Sequence, residues 1–167
     1  QSPARADRMG LMLGAGGTYN WGSYDVGNIN PNRRVYGPDT YLTADLTWQI
    51  PGFSVMTCAY YQDSPNGGSF GGTRWAAVGQ LTGFVTPVLQ LYGRGEWGTI
   101  RNSDQQDIKV MTVGASYYPY KTKVIKLTAE FIYTWGPTTN WELDGNLGFI
   151  NTEENQTIFR TQLQFSF

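Results

Sequence analysis

Seven charged side chains, Asp45, Arg74, Arg94, Glu96, Lys126, Glu130 and Arg160, stand out because each lies on the polar side of an alternating stretch. Arg94 and Glu96 are two residues apart, and Lys126 and Glu130 four apart. In a strand either spacing keeps both members on one face, because side chains alternate with a period of two. The chemistry open to such a set is electrostatic. In a narrow enclosure groups of both signs pair and plug the interior; in a wide one they line a wet passage and bias which ions pass. The spacing leaves both readings open. Covalent and proton-transfer chemistry has little to work with, because the sequence contains no histidine. Ser-His-Asp, Cys-His and His-metal sites all need the imidazole. Ser-Lys and paired-carboxylate catalysis find no spacing that points to them. No enzyme activity, cofactor or metal is therefore expected.

Smaller motifs resolve the same way. Gly93-Arg94-Gly95-Glu96-Trp97-Gly98 matches the dinucleotide fingerprint by letter, yet it lies within a strand pattern and opens no helix, so it reads as strand glycine. Asp25, Asn28, Asn30 and Asn32 crowd one join, but their spacing fits turn chemistry rather than a calcium loop. Asn155-Gln156-Thr157 is a glycosylation acceptor by pattern alone. Cys58 is the single cysteine, which excludes an intrachain disulfide and a cysteine metal cluster.

The elements that position the charges are strands. Eight are expected, at Met9–Trp21, Tyr41–Ile50, Phe53–Gln62, Thr73–Phe84, Val88–Gly98, Asp107–Tyr118, Lys123–Trp135 and Gln156–Phe167, with no helix. Four alternate cleanly. In the seventh, for example, Ile125, Leu127, Ala129, Phe131, Tyr133 and Trp135 oppose Lys126, Thr128, Glu130, Ile132 and Thr134. The third, fourth and sixth alternate less clearly. Short joins at Pro51-Gly52, Val85–Pro87 and Pro119–Thr122 alternate with long ones at Gly22–Thr40, Asp63–Gly72, Thr99–Gln106 and Gly136–Asn155. In an up-and-down sheet this puts the short turns at one end and the long loops at the other, the layout of outer-membrane barrels. Aromatic residues mark both strand ends, among them Trp21, Trp75, Trp97 and Trp135 toward the long joins and Trp48, Phe165 and Phe167 toward the short ones. Two such belts suit two membrane interfaces. A soluble β-sandwich or ligand-binding barrel also alternates, but gives no reason for rings at both ends.

Composition agrees. Across 167 residues charged side chains make up 15%, below the roughly 25% usual in soluble domains, and aromatics also reach 15%. A net charge of −1 without a basic stripe excludes nucleic acid as a partner. The mean hydropathy of −0.38 looks soluble, and no stretch approaches the ~20 apolar residues of a spanning helix. A barrel whose faces alternate keeps a low mean all the same. No signal peptide opens the sequence at Gln1, so an export signal is expected to have been removed or to lie on a preceding segment.

Four runs, "LTADLTWQIPGFSVMTCAYYQDS", "LYGRGEWG", "IKVMTVGASYYPYKTKVIKLTAEFIYTW" and "NQTIFRTQLQFSF", occur in that order. The order resembles the C-terminal half of bacterial porins of the phosphate-selective porin O and P type, planctomycete-like members especially, over about Arg8 to Phe167. The resemblance implies an antiparallel up-and-down transmembrane β-barrel of the outer membrane, passing small hydrophilic solutes by passive diffusion. It implies that these eight strands are the closing half of a barrel of about sixteen. Implied partners are the lipid bilayer and lipopolysaccharide, the remaining strands or other subunits, and the barrel-assembly machinery, whose recognition signal Phe167 resembles. The family's phosphate-binding ladder of arginine and lysine has no counterpart here, since inward cations are balanced by Asp and Glu. A complete eight-stranded barrel with a filled interior, acting as an anchor or adhesion protein, is the alternative.

Overall fold

The computed structural model describes residues 8–25, 34–64, 72–101, 106–120, 124–136 and 154–166. They form β1 (Gly10–Asp25), β2 (Arg34–Ile50), β3 (Phe53–Ser64), β4 (Gly72–Phe84), β5 (Leu89–Arg101), β6 (Gln106–Tyr117), β7 (Ile125–Trp135) and β8 (Thr157–Phe165). All eight belong to one antiparallel sheet in which each strand pairs with its neighbours in sequence, and no helix occurs among the described residues. The sheet is not closed. β1 pairs only with β2 and β8 only with β7, so those two strands are its edges.

The eight strands fall where the alternating pattern places them, but several run further toward the long joins. The ladder between β1 and β2 continues to Asp25 opposite Arg34, through Gly22, Gly37 and Pro38, which composition alone assigns to a loop. Pairing with β3 begins only at Thr40, so Pro38 stands where β2 has a neighbour on one side, the place a strand tolerates a residue without an N–H. The join between β5 and β6 likewise contracts to residues 102–105, while the one between β6 and β7 spans 118–124. Strict long-short alternation of the joins therefore does not hold, because ladder hydrogen bonds recruit polar residues that sequence propensity leaves in loops.

Two short joins are set by local chemistry. Pro51 fixes its own φ and Gly52 supplies a φ of 79°, which lets β2 turn into β3 in two residues. Between β4 and β5, the Thr86 hydroxyl accepts from the backbone N–H of Leu89 at 3.0 Å and of Val88 at 3.3 Å.

Register assigns every side chain to one of two faces. Ala15, Ala44, Ala59, Ala77, Trp97, Lys109 and Trp135 form one row across seven strands; Gly14, Asp45, Cys58, Val78, Glu96, Val110 and Thr134 form the adjacent row on the opposite face. The first face is apolar and open to the surroundings. Leu13, Leu81, Leu91, Met111, Val113, Phe131, Phe159 and Leu163 all lie exposed on it, Phe159 at 70%. The second face is polar and crowded: Thr82, Thr112, Ser116 and Thr134 are buried there, while Ile108, Tyr118 and Ile132 are the buried large apolar side chains among the described residues. The usual distribution of a globular protein is inverted.

Before β8, Asn155 takes a φ of 56°, a left-handed conformation Asn tolerates. Gln156 is then fastened to the end of β7: its N–H donates to Thr134 Oγ1 at 3.0 Å and its carbonyl accepts from the Thr134 N–H at 2.9 Å. Thr134 is fully buried, so Thr134→Val leaves the Gln156 N–H without its partner at a cost of about 1–3 kcal/mol. The expected outcome is a lower unfolding midpoint in denaturant, followed by far-UV circular dichroism. Thr134→Ser, which keeps the hydroxyl, should lose clearly less.

Candidate functional site

All seven charged residues singled out in the sequence lie on the crowded polar face. Their arrangement differs from what spacing along one strand suggests. Glu130 pairs with Arg160, its direct cross-strand partner, and Arg160 donates to Glu130 Oε1 through both Nε and Nη2. Lys126 lies four residues from Glu130 on the same strand, about 14 Å at a strand rise of about 3.4 Å, whereas cross-strand neighbours stand about 5 Å apart. Glu130 therefore takes the partner across the ladder.

The other oxygen of Glu130 is held from the far side. Tyr92 Oη donates to Glu130 Oε2 at 2.6 Å, although β6 lies between β5 and β7. Gly114 makes this reach possible. It is the β6 residue in register with both Tyr92 and Glu130, and a Cβ at that position would run into the Tyr92 ring. Tyr92, Glu130 and Arg160 thus form one polar unit spanning four strands. Gly14 stands in the same relation to Asp45, whose carboxylate occupies the space a Cβ on Gly14 would need.

Arg94 and Glu96 make the second ion pair, Nε to Oε1 at 2.9 Å. Arg94 Nε nevertheless has no hydrogen-bond partner, so the contact is a charge pairing without an aligned N–H. Both side chains rise from the same face of one strand, which brings them close without pointing them at each other. Around the ions lies a lattice of neutral polar groups. Gln80 Nε2 donates to Thr82 Oγ1 at 3.1 Å, Tyr118 Oη to Gln90 Oε1 at 3.0 Å, and Gln62 Nε2 to Tyr41 Oη at 3.4 Å. Near the start of β2, Ser64 Oγ at the end of β3 donates to buried Asp39 at 2.5 Å. Counting Asp39, the polar face carries Arg74, Arg94, Lys126 and Arg160 against Asp39, Asp45, Glu96 and Glu130, a balanced set among the described residues. No group of three or more His, Cys, Asp or Glu side chains able to hold a metal occurs among them. Cys58 is half-buried within the face.

The aromatic residues divide between the two ends of the apolar face. Trp75 and Trp97 pack edge to face with centroids 4.6 Å apart, as do Tyr133 and Trp135 at 4.6 Å, all toward the joins 65–71, 102–105 and 136–156. Trp48 and Phe165 lie exposed at the other end. The Trp21 side chain and Phe167 lie outside the described residues. So do Asn28, Asn30 and Asn32.

Sequence reasoning missed Tyr92 and Gly114 as members of the site. The alternation of β5 places Tyr92 on the correct face, but its link to Glu130 depends on the register of three strands. These features define an all-β meander with one hydrogen-bonded, charge-balanced face and one exposed apolar face. Comparison with family models, curated proteins and solved structures finds no match to this chain.

A double-mutant cycle tests the unit that Gly114 permits. Tyr92→Phe and Glu130→Gln are expected to couple by about 1 kcal/mol in unfolding free energy, the lower range for a hydrogen bond to a charged group at a partly exposed site. Gly114→Val should reproduce the Tyr92→Phe loss and abolish further response to it.

Proposed function

We propose that this chain is part of an outer-membrane porin, a transmembrane β-barrel through which small hydrophilic solutes or ions diffuse passively, with no catalytic step. The observation that carries this reading is the inverted polarity of the sheet. Its large apolar side chains lie exposed on one face while threonine, serine and paired ions fill the other. In water each uncovered side chain forgoes about 1.5–3 kcal/mol, against a whole-domain stability of about 5–15 kcal/mol. In a bilayer the same face is solvated, and the backbone groups of the inner strands are satisfied by the ladder.

Three further observations support it. The strands run from 9 to 17 residues, enough to cross a hydrocarbon core at the usual tilt. Rings gather at both ends of the apolar face, where headgroups would lie. The sheet leaves the edges of β1 and β8 unpaired, which favours a larger barrel completed by other strands or subunits over a closed eight-stranded anchor. The polar face then lines the lumen, with Asp45, Arg74, Arg94, Glu96, Lys126, Glu130 and Arg160 as its charges. Their balance suits weak selectivity rather than an anion-specific path. The lipid bilayer, lipopolysaccharide and the barrel-assembly machinery are the partners this reading brings with it.

Planar-bilayer recording of the native protein is the test. Stepwise conductance is expected, and the double variant Glu96→Gln, Glu130→Gln should move the reversal potential toward anions, by roughly five-fold in permeability ratio for each lost charge at about 1 kcal/mol apiece. A folded, inserted protein with no conductance would sink the porin and leave the anchor reading.

A further inference from the structure

The register row of Ala15, Ala44, Ala59 and Ala77 continues into Trp97, Lys109 and Trp135, so a stretch of small side chains ends against two indoles with a cation between them. Most of this row, from Ala44 to Trp135, lines an open, predominantly apolar groove of about 950 Å³, whose lining also takes in Asp45 and Glu96 from the opposite face. Lys109 is exposed and lies near the start of β6, three residues after Gln106. Among the described residues it makes no ion pair, and within the strands it is the cationic side chain described on this face. Asp107 follows on the same face one pleat nearer the strand end.

We propose that this groove holds one anionic, phosphate-headed membrane lipid, its acyl chain along the alanine row and its phosphate against Lys109. The inference rests on the membrane reading and adds a specific lipid site to it. An ammonium on a lipid-facing surface is unfavourable unless its stem reaches the interface and its head meets a counter-charge. Trp97 and Trp135, its two cross-strand neighbours, mark that level, because indoles settle where an apolar ring can be half wet. An acyl chain fills a groove floored by methyl groups. A phosphate supplies a counter-charge in contact with Lys109, which Asp107, one pleat away and in no ion pair with it, does not. Charge complementarity therefore selects a lipid over an uncharged amphiphile.

The protein is reconstituted in phosphatidylcholine vesicles doped with dibromoacyl phosphatidylglycerol or dibromoacyl phosphatidylcholine, and quenching of tryptophan emission is followed against mole fraction. Quenching by the brominated phosphatidylglycerol is expected at about five-fold lower mole fraction, the attraction of one basic residue for an anionic headgroup. Lys109→Gln should erase that difference and Lys109→Arg should keep it. Ala59→Phe, which fills the groove floor, should weaken quenching by both lipids. A difference that survives Lys109→Gln, or that is missing in the unaltered protein, overturns the site while leaving the membrane reading intact. Displacement by inorganic phosphate alone would make Lys109 a simple anion contact and overturn it too. Failure of the folded protein to enter vesicles overturns the membrane reading and this site together.

Discussion

The interaction on which the rest of the structure depends is the cross-strand ladder, because it is the part of this fold that owes nothing to a hydrophobic core. Eight strands pair in sequence order over registers of nine to sixteen residue pairs, and the extensive contacts between elements are those between ladder neighbours. Most globular sheets are held flat against a second layer that buries one face. Here no second layer exists among the described residues, and the apolar face is left to whatever surrounds it. Stability must then come from hydrogen bonds within the sheet and from the solvent of the apolar side. A low-dielectric solvent on that side strengthens every ladder bond and removes the penalty for exposed leucine and phenylalanine.

Lateral order on the polar face depends on where side chains are missing as much as on where they are present. Tyr92 meets Glu130 because the residue between them is Gly114, and Asp45 lies where Gly14 leaves room. Each glycine allows a long polar group to lie across the neighbouring strand rather than stand up from its own. The polar face is thereby tied together over distances that adjacent pairing alone does not reach, with Tyr92, Glu130 and Arg160 linking β5 to β8. Arg160 sits on the edge strand, so this linkage ends at an unpaired border of the sheet.

Much of this architecture is legible in the sequence, and the limits have a physical cause. A period of two is a local property, so the strands, their number and the facing of all seven charges follow from alternation in segments such as Ile125–Trp135. Strand ends do not, because Asp25, Arg34 and Arg101 enter the ladder through partners rather than propensity. Ion pairing is legible where it runs along one strand, as between Arg94 and Glu96, and not where it crosses the ladder. Lys126 looks like a neighbour of Glu130 along the chain, yet Arg160, thirty residues away, is the group in contact. Tyr92 and Gly114 escape notice for the same reason: their significance is a register, and register is fixed jointly by turn length and face.

The balance of charge on the polar face and the open edges of the sheet bear on the same question. An enclosure of eight strands is just wide enough for side chains to fill, so charges of both signs would pair across it and close it. In this sheet the ion pairs form between or along adjacent strands, Glu130 with Arg160 and Arg94 with Glu96. Such pairs are already satisfied on the wall and need nothing from an opposite side. A wall whose charges are neutralised locally can face water over a wide opening, which is the condition a passive and weakly selective passage requires. An anchor with a filled interior would instead draw on cross-lumen partners, whereas these two ion pairs join groups on the same or adjacent strands.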